Sequence, residues 1–516
     1  MVGPNGNGFR VVLTADRTSM AGFPTLFDGM LAASQTTTVP RPVMDWFLAP
    51  SVPADGVRAV QAPLGLRRVE AALVEGGWAA EDVAVVPAEK LEKAVGPGTR
   101  VIGLASGDPL GRGMNSTTMT GVAGGEIYTA RKFRELAEQI HEARAHAPHA
   151  RTVMGGPGAW QLAEDEVARR RLGVDHVVSG ACEANVAELF REIAAGEASA
   201  VLEGRAAQAC AVPSVRGATV MGSVEVSRGC GLGCRFCALA RQPMQHLPEE
   251  TILADVETNL RHGLHAAALV TEDIFRYGSA GVEVRPQALI GLLRRLRRLE
   301  GLRLLQTDHA NVCSVAQYSD GDLSEVQRLM AGPEDPGGYV WLNLGVETAN
   351  GQLLADNGGR AKMMDCPPAQ WGEWCLEQVG RLAEAGFFPL VSLVLGLPGE
   401  TPDHVRETLD WVSRLGDARV AVFPMFWAPL DGREPVTRQD MSRLHWRLFR
   451  KCYALNNKWI PRLLWDNQGS AGVPLLRRLG TQAMTRAGAV WWQSLLLWRA
   501  LRPLRWLRIR PRTARC

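Results

Sequence analysis

The sequence predicts an α/β protein built from two successive parallel-sheet units, a doubly wound N-terminal domain and then a full or partial (β/α) barrel, followed by a helical C-terminal region. Three observations predict it. Strand-like and helix-like segments alternate through residues 1–195. A second alternation, six βα units in succession, runs through residues 223–430. From about residue 431 the pattern is helical and ends in a basic, tryptophan-rich stretch. At 516 residues the chain is too long for one ordinary domain, and 46% hydrophobic with 22% charged residues excludes a disordered tail protein, a collagen-like fibre and a small disulfide scaffold.

Taken in order, FRVVLTAD reads as a strand, APLGLRRVEAALVEGG as an amphipathic helix and TRVIGLASGD as a second strand. ARKFRELAEQIHEARAHAP is a charged-faced helix, ARTVMGGPGA a strand, VDHVVSGACEA a strand and loop, and NVAELFREIAAGE a closing helix. Residues 196–222, small and turn-rich, read as a connector. The barrel strands are SVEVSRG, AAALVTED, LRLLQTDHA, YVWLNLGVET, FFPLVSLVLGLPG and RVAVFPMF, with helical segments between them. In such a barrel the active site lies at the C-terminal ends of the strands.

The formal charge of +3 conceals a segregation: after Asp466 there is no acidic residue but ten Arg, so residues 1–466 carry about −7 and the rest about +10. There is no run of apolar residues long enough for a membrane span and no secretory pattern at the start, so a soluble, cytoplasmic protein is expected. In that compartment ten cysteines are not a disulfide framework. Seven show no repeated short spacing and read as small buried hydrophobes. The other three, Cys230, Cys234 and Cys237, stand in SRGCGLGCRFCALARQ, a glycine-rich loop directly after the first barrel strand.

Three soft thiolates within eight residues suit iron–sulfur or zinc. Closed zinc needs a fourth ligand, and no Cys or His follows until His246. The alternative of structural zinc or unliganded core cysteine stays open at this point. C-x3-C-x2-C with the aromatic Phe236 before the last Cys resembles the signature of the radical S-adenosylmethionine (SAM) superfamily. The resemblance extends over the barrel. It implies a TIM-type radical SAM barrel whose three Cys hold a [4Fe-4S] cluster, with an open iron that binds the methionine moiety of SAM. It also implies reductive cleavage of SAM to a 5′-deoxyadenosyl radical, fed by a one-electron reductant such as flavodoxin or ferredoxin.

The same resemblance assigns cofactor contacts. Glu272 and Asp273, in Thr271-Glu272-Asp273, fall where relatives contact the methionine amine, although the common Gly-Gly-Glu form is missing. LGVET, with Gly345 and Glu347, resembles a ribose-facing motif; LVLGLPGE, with Gly396, Pro398, Gly399 and Glu400, resembles a glycine-rich strand end beside adenine. Ordinary turn and capping chemistry is the alternative for each. Gln306, Asp308 and His309, ending the third strand, are either SAM or substrate contacts or loop residues satisfying backbone groups.

A doubly wound domain ahead of such a barrel resembles the cobalamin-binding class of the superfamily, and implies that residues 1–195 form a Rossmann-like cobalamin-binding domain. Ligands of such sheets lie beyond the carboxyl ends of the strands, which sets residues 16–20, 106–120 and 155–160 around a corrin, among them Asp108, Ser116, Thr117, Gly155 and Gly156. The Asp-x-His-x-x-Gly motif of a lower axial histidine does not occur in this sequence. His141, His146 and His149 read as solvated and His176 as core, so cobalt is expected without a histidine ligand. A degenerate domain that has lost the cofactor is the alternative.

In the last segment, AGAVWWQSLLLW is too short to span a bilayer, and Arg with Trp491, Trp492, Trp498 and Trp506 suits an interfacial helix. The alternatives are packing on the barrel and, with no recognition module visible, nucleic acid. The leading expectation is a cobalamin-dependent radical SAM methyltransferase acting on an unactivated carbon of a lipid or secondary metabolite, peripheral to the inner face of the membrane. Ring or C–C bond formation without methyl transfer is the runner-up, and a non-catalytic cobalamin- or redox-responsive binding protein is the reading from another class.

Overall fold

The computed structural model describes residues 6–332, 340–429 and 433–501. The arginines and Trp506 read after residue 501 lie outside the described residues. Six parallel strands form the N-terminal sheet: β1 (Val11–Ala15), β2 (Val83–Val85), β3 (Val101–Ala105), β4 (Arg151–Gly155), β5 (His176–Ser179) and β6 (Val201–Glu203), in the order β2-β1-β3-β4-β5-β6. Helices cover both faces, so the central strands are apolar on both sides: every residue of β1, VVLTA, is buried. The strand order reverses between β1 and β3, which puts the ligand crevice of this sheet beyond their carboxyl ends. The segment 196–222, read as a connector, supplies β6 and the short strand Ala218–Thr219.

Residues 106–120 are expected around a corrin, and from residue 114 on they form the helix Met114–Ala123. Its hydroxyls turn back onto the helix's own carbonyls, Thr117 to Gly113, Thr118 to Met114 and Thr120 to Ser116. Gly124, at φ 87°, stops it.

The second unit comprises β7 (Ser223–Glu225), β8 (Ala266–Val270), β9 (Leu304–Thr307), β10 (His309–Asn311), β11 (Val340–Glu347), β12 (Phe387–Leu395) and β13 (Ala421–Phe426). They pair in parallel as β7-β8-β9 and β10-β11-β12-β13. The third expected strand is therefore split at Asp308, where the chain leaves β8 and joins β11. Among the described residues β7 and β13 do not pair, so the barrel is partial. Buried Trp371, Phe275, Tyr318 and Phe387 fill its core and helix layer.

The two units are joined by specific polar contacts. Arg68 of the helix Leu64–Glu75 lies 2.5 Å from Asp255 of the helix Glu249–Arg261, with both side chains buried. Asp255 also accepts the Val215 N–H at 2.9 Å. The N-terminal helix Leu26–Ala33 presents the Leu26 N–H to Gln306 of β9, and Gln306 donates in turn to Asn467. The helix Met114–Ala123 lies against β13, where Thr118 accepts the Phe426 N–H at 2.7 Å. Two long helices, Arg443–Ser470 and Leu475–Leu501, close the chain as a hairpin.

Burial pushes the Asp255 carboxyl up against the pull of Arg68, so the pair gains little net but is costly to break. Arg68→Ala is expected to lose about 3 kcal/mol of stability, and Arg68→Ala with Asp255→Ala about half as much or less, measured by denaturant unfolding.

Candidate functional site

The three-cysteine loop begins where the first barrel strand ends. Ser227–Arg228 pairs antiparallel with Gln245–His246, and the chain between them folds back on itself. Gly229, Gly231 and Gly233 all have φ between 73° and 77°. At Gly229 a Cβ would meet the Pro243 carbonyl at 2.5 Å, so this turn requires glycine. The Cys230 N–H donates to Gln242 O at 2.9 Å and Gly233 N–H to Ala240 O at 2.9 Å. Arg276 donates to the Cys230 carbonyl at 2.8 Å, and the Arg235 N–H to Asn357 O at 2.9 Å. The backbone is thus fixed by the loop itself, by the end of β8 and by the loop after β11.

Cys234 is buried and Cys230 and Cys237 partly so. Burial raises all three thiols, Cys234 to about 11, and the other two cysteines add to that rise through their charge. Three mutually repelling thiolates in one buried loop need a cationic centre to exist together. Among the described residues no three Cys, His, Asp or Glu converge as a single-ion site. A cubane has no such requirement, because each thiolate takes a separate iron. The donor set fits an iron–sulfur cluster.

Across the mouth stands a carboxylate rim. Glu272 is partly buried and its carboxyl is raised first by burial, with His309 acting against the rise. Its neighbour Asp273 is fully buried; Oδ1 accepts from Ser314 at 2.8 Å and Oδ2 from Asn311 at 3.1 Å, and burial lifts it to about 6. Both oxygens of Asp273 are engaged, so it ties the ends of β8 and β10 together rather than presenting a carboxylate to a cofactor. Asp308 Oδ1 accepts the Thr271 N–H at 3.1 Å, and Oδ2 lies 3.3 Å from His309 Nδ1. Gln306, grouped with them in the sequence reading, is committed to Leu26 and Asn467.

Glu347 ends β11 at φ 67°, past a bulge that begins at Gly345. Its carboxylate lies 2.5 Å from Lys362 Nζ and 3.5 Å from Ser392 Oγ. A Cβ on Gly345 would collide with both Glu347 and Lys362, so glycine makes the room for the pair. Burial works against the charge on Lys362, but Glu347 and the nearby Cys234 outweigh it and hold the ammonium charged. Sequence reading missed Lys362: a lone lysine in NGGRAKMM carries no signal. Gly396, at φ 81°, has a Val436 carbon 2.6 Å from where a Cβ would stand, and Gly399 is also left-handed, at φ 85°. Glu400 accepts from the Gly396 N–H and from His445 Nε2 at 2.7 Å, which fixes that strand end to the C-terminal hairpin.

At the N-terminal sheet, Asp16 is fully buried and accepts from Thr18 and Ser19. Asp108 accepts from the N–H groups of Arg112 and Gly113 and from Gln161, and so organises its own loop. Ser116 is buried inside the helix and Thr117 is bonded to Gly113. These three are spent on local structure. Gly155 and Gly107 differ: a Cβ at either would meet nothing within 4 Å, an open cradle at the carboxyl ends of β3 and β4. Gly156, at φ 87°, turns the chain there. The open backbone at these two strand ends leaves room for a flat cofactor. His176 bonds Ser199 O at 2.8 Å within the sheet, and His141, His146 and His149 are exposed.

Residues 224–412 match the family model described as the Radical SAM superfamily. The ribosomal protein uS12 methylthiotransferase RimO of Desulforamulus reducens is 27% identical over 203 residues, 39% of this chain, and the chain spans 41% of that protein. The tRNA-2-methylthio-N(6)-dimethylallyladenosine synthase of Zymomonas mobilis is 23% identical over 354 residues, 64% of this chain and 72% of that one. Among solved structures, the radical S-adenosylmethionine methyltransferase TsrM from Kitasatospora setae, with cobalamin and [4Fe-4S] cluster bound, superposes with a TM-score of 0.51 at 16% identity, over 81% of this chain and 75% of that chain. TsrM with a tryptophan substrate and a SAM analog gives a TM-score of 0.52 at 15% identity, over 82% and 75%. The likeness to TsrM is one of fold.

The Asp308–His309 pair gives a measurable titration. Burial opposes the charged ring, but Asp308, with Glu272 and Glu347, raises it to about 9 even though 46% of the side chain is exposed. A folded value above the unfolded 6.5 means that the stability it contributes is whole below 6.5 and is lost as pH rises through about 9. NMR of the labelled imidazole is expected to titrate near 9, and at lower pH in Asp308→Asn; a wild-type midpoint near 6.5 contradicts the pairing.

Proposed function

From the premise that residues 224–412 are a radical SAM domain, we propose that this chain is a cobalamin-dependent radical SAM enzyme that methylates an unactivated carbon of a lipid or secondary metabolite. The observation that carries the proposal is the meeting of two strand-end crevices. The helix Met114–Ala123 leaves the carboxyl end of β3 and packs on Phe426 at the carboxyl end of β13. The helix Leu26–Ala33, after the carboxyl end of β1, bonds to β9. The open edge of the doubly wound sheet and the mouth of the barrel therefore adjoin, as a group transferred from one to the other requires.

When bound, a [4Fe-4S] cluster with SAM supplies a one-electron source and a radical precursor, and cobalamin supplies a methyl donor. The chain's own residues do the rest. Cys230, Cys234 and Cys237 provide thiolates on a loop fixed by Arg276. Glu272, the one rim carboxylate with no hydrogen bond among the described residues, takes the methionine ammonium. Lys362 neutralises Glu347 and directs the strand end towards the ribose, while Gly396, tight against Val436, and Gly399, at a left-handed φ, shape the turn beside adenine. Gly155 and Gly107 would leave room for a corrin face. A small-molecule or lipid substrate, a one-electron donor and peripheral contact with a membrane belong to this proposal.

After anaerobic reconstitution, Cys234→Ala is expected to lose the cluster absorption and to release 5′-deoxyadenosine only at background, whereas Cys366→Ala keeps both. Electron paramagnetic resonance of the Co(II) full chain is expected to show no nitrogen triplets, and His176→Ala to leave the spectrum unchanged. Wild-type release from Cys234→Ala, or triplets lost with His176, contradicts these assignments.

A further inference from the structure

The terminal helix Leu475–Leu501 has two unlike faces. Its inner face packs on the preceding helix and the barrel, through buried Thr481 and Leu496 and through Trp492, whose ring lies 4.9 Å from that of Tyr453. Its outer face is apolar and exposed. Leu476, Leu479, Val490, Trp491, Leu497 and Leu501 are all between 42% and 84% exposed. At about 100° per residue these six fall within an arc of roughly 120°, the width of an apolar stripe that buries against something. Beside them stands a residue from the other end of the chain. Trp46, in the π-helix Val43–Leu48, is 81% exposed, and a Cβ on Gly480 of the terminal helix would stand 3.2 Å from the ring of its neighbour Phe47, so the two elements touch there.

We propose that this composite face, the outer stripe of the terminal helix with Trp46 at its edge, docks on the surface of an anionic lipid bilayer. Charge selects that occupant. Arg477 and Arg486 flank the stripe, and no Asp or Glu occurs between Asn467 and the end of the chain. A second copy seated on the same face would set arginine against arginine with no acid to compensate, because a two-fold contact pairs a surface with itself. A layer of anionic headgroups accepts the arginines while their stems and the tryptophans enter the interface. No helix among the described residues is long and apolar enough to cross a membrane, so the helix lies on the surface. Arg499 donates to Val122 O at the end of the helix Met114–Ala123, so the inner side of the terminal helix adjoins the element that bridges the two crevices. That position suits a substrate with an acyl chain. This last point alone rests on the catalytic proposal; the docking does not.

The test uses the full chain as purified, with no cofactor or activity required: co-sedimentation with phosphatidylcholine vesicles with and without phosphatidylglycerol, at low and high salt. Wild-type protein is expected to bind the phosphatidylglycerol vesicles, less at high salt. Leu476→Glu with Leu479→Glu should weaken binding by at least about tenfold, since two inserted side chains are withdrawn. Trp46→Ala should weaken it independently, which the terminal helix acting alone does not predict. Unchanged circular dichroism and monodispersity exclude unfolding as the cause, because all three side chains are exposed. Wild-type protein that stays in the supernatant overturns the proposal. So does binding that these variants leave unchanged, or a wild-type dimer that Leu476→Glu with Leu479→Glu converts to monomer.

Discussion

At Asp308 one strand of the barrel changes partner, and most of the architecture around the mouth depends on that residue. Its carbonyl accepts the Asn343 N–H of β11 at 2.7 Å, its carboxylate accepts the Thr271 N–H at the end of β8, and its free oxygen lies beside His309. The three-stranded and four-stranded halves of the barrel are joined here, and again where Asn311 and Ser314 donate to Asp273. Two residues earlier, Gln306 reaches in the other direction, to the N-terminal helix and to Asn467 of the C-terminal hairpin. That strand is therefore one of the links between the N-terminal sheet, the barrel and the terminal helices, beside Arg68–Asp255 and Thr118–Phe426.

The charges at the mouth are arranged in opposed sets. Glu272, Asp308 and Glu347 form the acidic side, and Lys362 and His309 stand between them as the compensating cations. An acidic rim suits a cosubstrate that carries an ammonium and a sulfonium. The three thiols sit apart, in a loop whose burial holds them protonated when empty, so cluster assembly has to displace their protons. Cys375 and Cys452, buried deeply enough to be held as thiols, serve as core.

What could be read from the sequence was local. The cysteine triplet, the glycine turns and the alternation of strands and helices lie within short windows, and the structure has them in those places. Contacts between residues distant in sequence were not legible. Gln306 looked like a rim residue because its partners are Leu26 and Asn467, far away along the chain. Lys362 was invisible because its site exists only through Glu347 and through the side chain that Gly345 lacks. The strand ends of a doubly wound sheet set the segment 106–120 around a corrin; that its threonine oxygens bond the carbonyls of their own helix was not legible. The terminal helix was legible in its charge but not in its faces, since its partner residues lie on the preceding helix, and Trp46 gave no signal at all.

The central claim is that the loop of Cys230, Cys234 and Cys237 holds a cluster with one iron left open to SAM. Mössbauer spectroscopy of the full chain reconstituted with 57Fe, before and after addition of SAM, tests this most directly. The account predicts a [4Fe-4S] spectrum in which a single iron site changes its isomer shift and quadrupole splitting when SAM is added. A spectrum of mononuclear iron, or a [4Fe-4S] spectrum that SAM leaves unchanged, would contradict it.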